Sequence, residues 1–267
     1  MPRWHGACQA PRQPGVGEVI VDFHTHVDEA EAFGWIDPPD KLVPLLDAAG
    51  IDKAACMTYV DLPGSNPAAL EYLAEAVSRF PDRLIAFARL NPSYRREAEE
   101  ALRRAVSQLG FRGVKLHPTT TLAHPAHEPT AALLQLAAEL GVPALFHCGD
   151  DPYTTPQAIA AGARQAPDTA VVLGHMGGYF HVDDAIAMAE RHPNLYLETS
   201  AMPYPSKIAE AVERVGAERV IFGSDGPGCN PRLEVEKVRM LGLGRDAEGL
   251  ILGGNAARLL GLEEAAG

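Results

Sequence analysis

Two histidines separated by one residue, His24 and His26, close the apolar run Val19-Ile20-Val21-Asp22-Phe23. Side chains on a strand alternate between faces, so residues i and i+2 leave on the same side. Two neutral imidazoles held close together on one rigid element supply half of a divalent-cation site. Later apolar runs also end in chemistry-bearing residues: Lys115 and His117 in Lys115-Leu116-His117, then His147, then His175 in Gly174-His175-Met176-Gly177-Gly178, and finally Asp225 in Gly223-Ser224-Asp225-Gly226-Pro227. Imidazoles and a carboxylate converging on one face have the composition of a catalytic metal site with an open position for water. A carboxylate such as Asp225 beside that position can take and return a proton.

The elements that must position these residues follow a regular alternation. Strand-like apolar runs occur at 19–23, 53–58, 84–90, 113–116, 144–147, 170–173, 195–199 and 220–222. Between them lie segments of helical periodicity at 41–49, 67–80, 95–109, 130–140, 156–164, 182–191, 206–215 and 232–241. Gly50, Gly110, Gly141 and Gly216 follow four of these segments, as helix C-termini require.

Eight strands alternating with eight helices fit a closed (β/α)8 barrel or an open doubly wound sheet. The count and even spacing predict the barrel, and no GxGxxG follows the first strand. In such a barrel, function sits at the C-terminal ends of the strands, where the residues named above fall. The fold expected is a single-domain α/β protein, a (β/α)8 TIM barrel over residues 18–262. Short helices within 246–262 would cap it, and residues 1–17 would form a loosely ordered N-terminal extension.

The chain has 267 residues, 46% of them hydrophobic, and a formal net charge of −12. That acidity argues against a nucleic-acid or anionic-membrane partner, which requires clustered Lys and Arg. A small-molecule substrate is expected, and a homo-oligomer is left open. No window reaches transmembrane length, and residues 1–17 lack the apolar core of a signal peptide. Cys8, Cys56, Cys148 and Cys229 show no framework spacing, so a reduced, cytoplasmic state is expected.

The segments GVKLHP, GHMGG, FGSDGP and GGNAARLLGL, with HxH after the first strand, resemble the amidohydrolase superfamily. More narrowly, they are similar to its Amidohydrolase-2 branch, which includes aminocarboxymuconate-semialdehyde decarboxylase and its relatives. The resemblance implies a (β/α)8 barrel holding one divalent ion, zinc in the first instance, with Mn2+ or Fe2+ also suited to N/O ligation. Carried over, the ligands are His24, His26, His147 and Asp225, and His175 sits beside the ion to polarise substrate or water. Asn255 falls in a motif that caps the terminal helix. Lys115 has two readings: a carboxylated lysine bridging two metals, as in some superfamily members, or the preferred one, a cation for a substrate carboxylate or an ion pair. His117 either contacts substrate or supports a ligand. Arg89, a charge within an apolar strand, is either an inward clamp on a carboxylate or a surface arginine.

Weaker candidates are His124 and His127 in the loop after the fourth strand, His181 at a helix start, and His5 and His192 on the surface. Cys148 and Cys229 read as small apolar residues, and Tyr59 and Tyr153 as pocket or packing residues. The reaction expected is hydrolysis of a C–O or C–N bond in a small, carboxylate-bearing molecule by metal-activated water. Asp225 would shuttle the proton and His175 stabilise the developing oxyanion. The alternative on the same residues is non-oxidative decarboxylation or hydration. Nucleases and phosphoesterases that share a first-strand HxH are disfavoured by the acidic balance. A barrel that only binds ligand would not need a complete ligand set.

Overall fold

Eight parallel strands form the core of the computed structural model, which describes residues 19–31, 34–59 and 67–262. The expected N-terminal extension, with His5 and Cys8, lies outside the described residues. In chain order the strands are β1 (Val21–His26), β2 (Asp28–Ala30), β3 (Trp35–Asp37), β4 (Lys53–Met57), β5 (Leu84–Arg89), β6 (Gly113–Leu116), β7 (Ala144–His147), β8 (Val171–Gly174), β9 (Leu195–Glu198) and β10 (Val220–Ile221). The parallel sheet runs β1-β4-β5-β6-β7-β8-β9-β10. The backbone after β10 brings it round to β1: Phe23 N donates to Phe222 O (3.0 Å), Asp225 N to His24 O (2.7 Å) and His26 N to Gly226 O (2.7 Å). The buried Asp22 carboxylate ties the same seam, accepting from Ser224 N at 2.9 Å and His24 N at 3.1 Å. Helices surround the sheet, giving the expected (β/α)8 barrel. None is long and apolar enough to cross a membrane among the described residues.

Two apolar layers hold the barrel. Alternate strand residues, among them Val21, Phe23, Ala55, Met57, Ile85, Phe87, Leu145, Val172 and Ile221, fill its interior, and Ala256 and Leu260 of the terminal helix join them. The other strand face packs on the helices through residues such as Ala54, Cys56, Ala86, Val114, Ala144 and Leu173. Gly113 lacks a side chain because the interior has no room there. A Cβ at that position would lie 2.6 Å from the ring of fully buried Phe87, itself edge-on to Phe23 at 5.2 Å. Gly113→Ala is therefore expected to destabilise the fold by about 1–3 kcal/mol through overpacking, read as a lowered urea midpoint at unchanged slope.

One departure from simple alternation decides where the chemistry goes. Val21 and Phe23 point into the barrel, so a strict period of two would send His24 and His26 to the helix side. The pairing of β1 with β4 instead slips by one residue, from Asp22↔Ala54 to Thr25↔Cys56. This β-bulge leaves Thr25 on the outer face, where its hydroxyl donates to Ala55 O, and turns His26 inward beside Met57.

Two further local features were not evident from the apolar pattern. An antiparallel hairpin, β2 with β3, follows β1 and pairs Ala30 with Trp35. A short helix, Pro118–Thr121, follows β6. Asn255 does not cap the terminal helix as expected: the helical backbone already runs through the preceding Gly254, so no free helix end exists there. Its amide instead donates to Ala217 O (2.8 Å) and Val220 O (2.9 Å), fastening the terminal helix to the last strand.

Candidate active site

The C-terminal strand ends line an open pocket of about 180 Å³. It collects every expected site residue: His24, His26, Arg89, Lys115, His117, His147, His175 and Asp225. Thr120 of the short helix, Tyr59 after β4 and Trp35 of the hairpin complete the lining. Tyr59 stacks on His26 with ring centroids 4.3 Å apart and planes 10° apart, and Trp35 leans on Tyr59 at 4.9 Å. The hairpin is thus the support for an aromatic wall beside the first two histidines.

His24, His26 and Asp225 form a compact group, with one ligand atom from each lying within 4.8 Å of the others. Asp225 Oδ1 is 3.1 Å from His26 Nε2 and 3.6 Å from His24 Nε2. His147, the fourth expected ligand, is not in that group. Its ring stacks on His117 at 4.1 Å and meets His175 edge-on at 4.8 Å. His175 in turn lies 5.0 Å from His24, so five imidazoles line the mouth in a row.

Burial and neighbouring positive charges disfavour the charged form of four of these rings. They push His24 and His147 well below the ordinary histidine range, lower His26, and bring His117 down to about 3. Burial acts on Asp225 in the opposite sense, but the hydrogen bond to His26 and the attraction of His24, His26 and His175 outweigh it. The carboxyl is held far below the ordinary carboxylate range and is ionised. Burial pulls Lys115 down to about 7, with Asp225 opposing. Lys115 is 1% exposed, and its Nζ lies 2.7 Å from His24 Nε2. Arg89 is likewise buried and inward: its guanidinium donates to Thr58 O (3.2 Å) and Thr120 Oγ1 (3.1 Å). The surface reading of Arg89 is therefore set aside.

Glu198, the last residue of β9, was missed. It is fully buried and accepts from Ser200 N (2.5 Å), Ser200 Oγ (2.9 Å), His24 Nδ1 (3.0 Å) and His175 N (3.2 Å). Two of these donors are backbone N–H groups, and toward an ionised Glu198, which can only accept, His24 Nδ1 is a donor. Ser200, having given its proton to Glu198, accepts from His175 Nδ1 at 2.9 Å. In their neutral forms both rings then carry the lone pair on Nε2. Gly223 makes the space: a Cβ there would lie 2.2 Å from Glu198 Oε1 and 2.9 Å from His24 Cβ. The signal was a carboxylate inside the apolar run Leu195–Thr199, the same kind of anomaly that drew notice to Arg89.

Among the described residues, the weaker candidates other than Tyr59 lie outside the pocket lining. His124 and His127 pair with each other, and His124 Nδ1 accepts Ala126 N within its own loop. His181 lies 3.5 Å from Asp184 at the start of its helix. Cys148 is buried, Cys229 partly so, and Tyr153 is exposed.

The donor set fits a divalent cation. Two neutral imidazoles and one ionised carboxylate converge, and the Glu198 bond leaves Nε2 as the only nitrogen His24 can offer. Such N/O ligation suits Zn2+, Mn2+ or Fe2+.

An amidohydrolase family model, Amidohydro_2, matches residues 21–262. No curated protein matches the sequence significantly. Among solved structures, the chain is similar to 2,6-dihydroxybenzoate decarboxylase from Rhizobium, with a TM-score of 0.74 at 21% identity over 92% of this chain and 99% of that one. It is also similar to a dihydroxybenzoic acid decarboxylase from Polaromonas sp. holding manganese and the inhibitor 2-nitroresorcinol (TM-score 0.74, 19% identity, 93% and 98% covered). A third is 5-carboxyvanillate decarboxylase from Sphingomonas paucimobilis (TM-score 0.73, 15% identity, 91% and 99% covered). At these identities the likenesses are likenesses of fold.

Proposed function

The chain belongs to the amidohydrolase family, and we propose that it is a divalent-metal-dependent decarboxylase of a small aromatic carboxylate. The observation that carries this reading is the pairing of two inward cations, Arg89 and Lys115, with an aromatic wall, Tyr59 and Trp35, around the His24/His26/Asp225 group. A planar anion fits that combination: its ring against the wall, its carboxylate against the guanidinium. Three decarboxylases among the structures of similar fold support this reaction over hydrolysis, the first expectation, which would use the same group. We assign the unit of function to residues 18–262, with 1–17 as an extension, and place it in the cytoplasm on its cysteine usage.

His24, His26 and Asp225 would hold the ion, with His147 in the same pocket lining as the further expected ligand. Bound there, a divalent cation supplies Lewis acidity toward the substrate's oxygens. Arg89, fixed by Thr58 and Thr120, orients the carboxylate. Asp225, in the pocket lining, would relay a proton from substrate or solvent to the ring carbon bearing the carboxylate. The carbon–carbon bond then breaks, its electron pair stays with the ring, and CO2 leaves. His175, hydrogen-bonded through Nδ1 to Ser200 Oγ, lines the pocket beside the substrate.

Purified protein supplied with Mn2+ or Zn2+ is expected to carry about one ion per chain and to release CO2 from at least one hydroxybenzoate. A His24→Ala, His26→Ala double variant should lose both. Turnover of amides or lactones without CO2 release would restore the hydrolase reading, and a protein that binds no divalent ion would end both.

A further inference from the structure

We propose that Lys115 and the divalent ion compete for a single electron pair on His24, so that ion binding releases the Lys115 ammonium to meet an anionic substrate. The inference rests on the metal-dependent reading above and adds an order of events to it.

The competition begins at Glu198. Its carboxylate accepts the backbone N–H groups of His175 and Ser200 and, when ionised, a hydrogen bond from His24 Nδ1. His24 is left with one lone pair, in the ring plane at Nε2, and that atom lies 2.7 Å from Lys115 Nζ. With its proton on Nδ1, His24 can only accept at Nε2, so Lys115 donates to it. A ligated imidazole nitrogen has no second pair to accept that bond. Occupancy of Nε2 by an ion and by Lys115 is mutually exclusive.

Charge acts in the same direction. Lys115 is buried at the end of β6, and an ammonium next to a divalent ion in a site shielded from water is repelled far more strongly than on a surface. Its carbon stem is fixed by the strand, so the displaced head swings within the pocket rather than out to solvent. Arg89 is already there, and the two cations together make a site for an anion. The binding order that follows is ion first and substrate second. A carboxylated Lys115 serving as a ligand would give the opposite sign: its removal would weaken ion binding.

The test is a titration of metal-stripped protein with Mn2+ against a chromophoric chelator, comparing the wild type with Lys115→Met. Competition predicts that the variant binds Mn2+ at least about tenfold more tightly. In the Mn2+-loaded proteins, benzoate, used as an anionic probe without turnover, should bind the variant about tenfold more weakly than the wild type. Unchanged or weaker Mn2+ binding by a folded variant overturns the proposal. Lys115→Ala, titrated in the same way, serves if Lys115→Met does not fold: tighter Mn2+ binding supports the competition, and unchanged or weaker binding overturns it. Mn2+ binding by the wild type with no gain in either variant removes this proposal alone. Absence of binding in all three removes the metal-dependent reading as well.

Discussion

Asp225→Asn is expected to lower turnover roughly a thousandfold or more while the barrel stays folded. The substitution keeps the side-chain shape and removes two properties at once. The first is the anionic ligand in the His24/His26/Asp225 group, where Oδ1 lies 3.1 Å and 3.6 Å from the two Nε2 atoms. The second is the base: an amide cannot take the proton that must reach the substrate carbon. The backbone should accept the change, because residue 225 has a φ of 57° and asparagine tolerates this left-handed region as well as aspartate does. The bonds that place the loop, Asp225 N to His24 O and Cys229 N to Asp225 O, are main-chain bonds and survive. Metal content, CO2 release and the thermal midpoint should therefore separate, with the first two falling and the third moving little. A variant that keeps its turnover would remove Asp225 from the proton path.

Much of this site was legible in the chain because a barrel places strand ends at one mouth, and residues far apart in sequence need only the right position within each βα unit. His24, His26, Lys115, His117, His147, His175 and Asp225 reach one pocket for that reason. What the pattern did not contain is local. The bulge in β1 has no residue signature, yet without it His24 and His26 would face the helices. The β2–β3 hairpin carries Trp35 and Ile36 half exposed, so it has no buried period to read. Glu198 was passed over because a search for ligands reads strand ends that project into the mouth, whereas this carboxylate acts from behind the ligand. The position of His147 shows a different limit. Residue type and strand end predict that a ring faces the mouth, not which neighbour it meets, and here it meets His117 and His175. Asn255 was placed correctly as a structural residue, but its partners are the carbonyls of Ala217 and Val220 rather than a helix end.

Glu198 carries the second large effect, and it divides into a stability part and a positioning part. Glu198→Ala leaves the backbone N–H groups of His175 and Ser200 and the ring N–H of His24 buried without an acceptor. A loss of about 3–5 kcal/mol is expected in chemical denaturation. Glu198→Gln is the finer probe, since it preserves shape and most of the packing beside Gly223. A carboxamide has only one oxygen. Turned toward Ser200 N, it puts its NH2 against His175 N and His24 Nδ1; turned the other way, it puts NH2 against Ser200 N, 2.5 Å from the original oxygen. The first orientation is relieved if His24 changes tautomer, accepting at Nδ1 and carrying its proton on Nε2. That proton occupies the atom a metal requires. Metal affinity should then fall about 10–100-fold, beyond any loss traceable to unfolding. Nitrogen chemical shifts of His24 in the metal-free protein distinguish this from a merely structural defect: the wild type should show protonated Nδ1, and Glu198→Gln a shift of protonation toward Nε2. If the variant binds metal normally with an unchanged tautomer, Glu198 holds the barrel together without orienting its ligand.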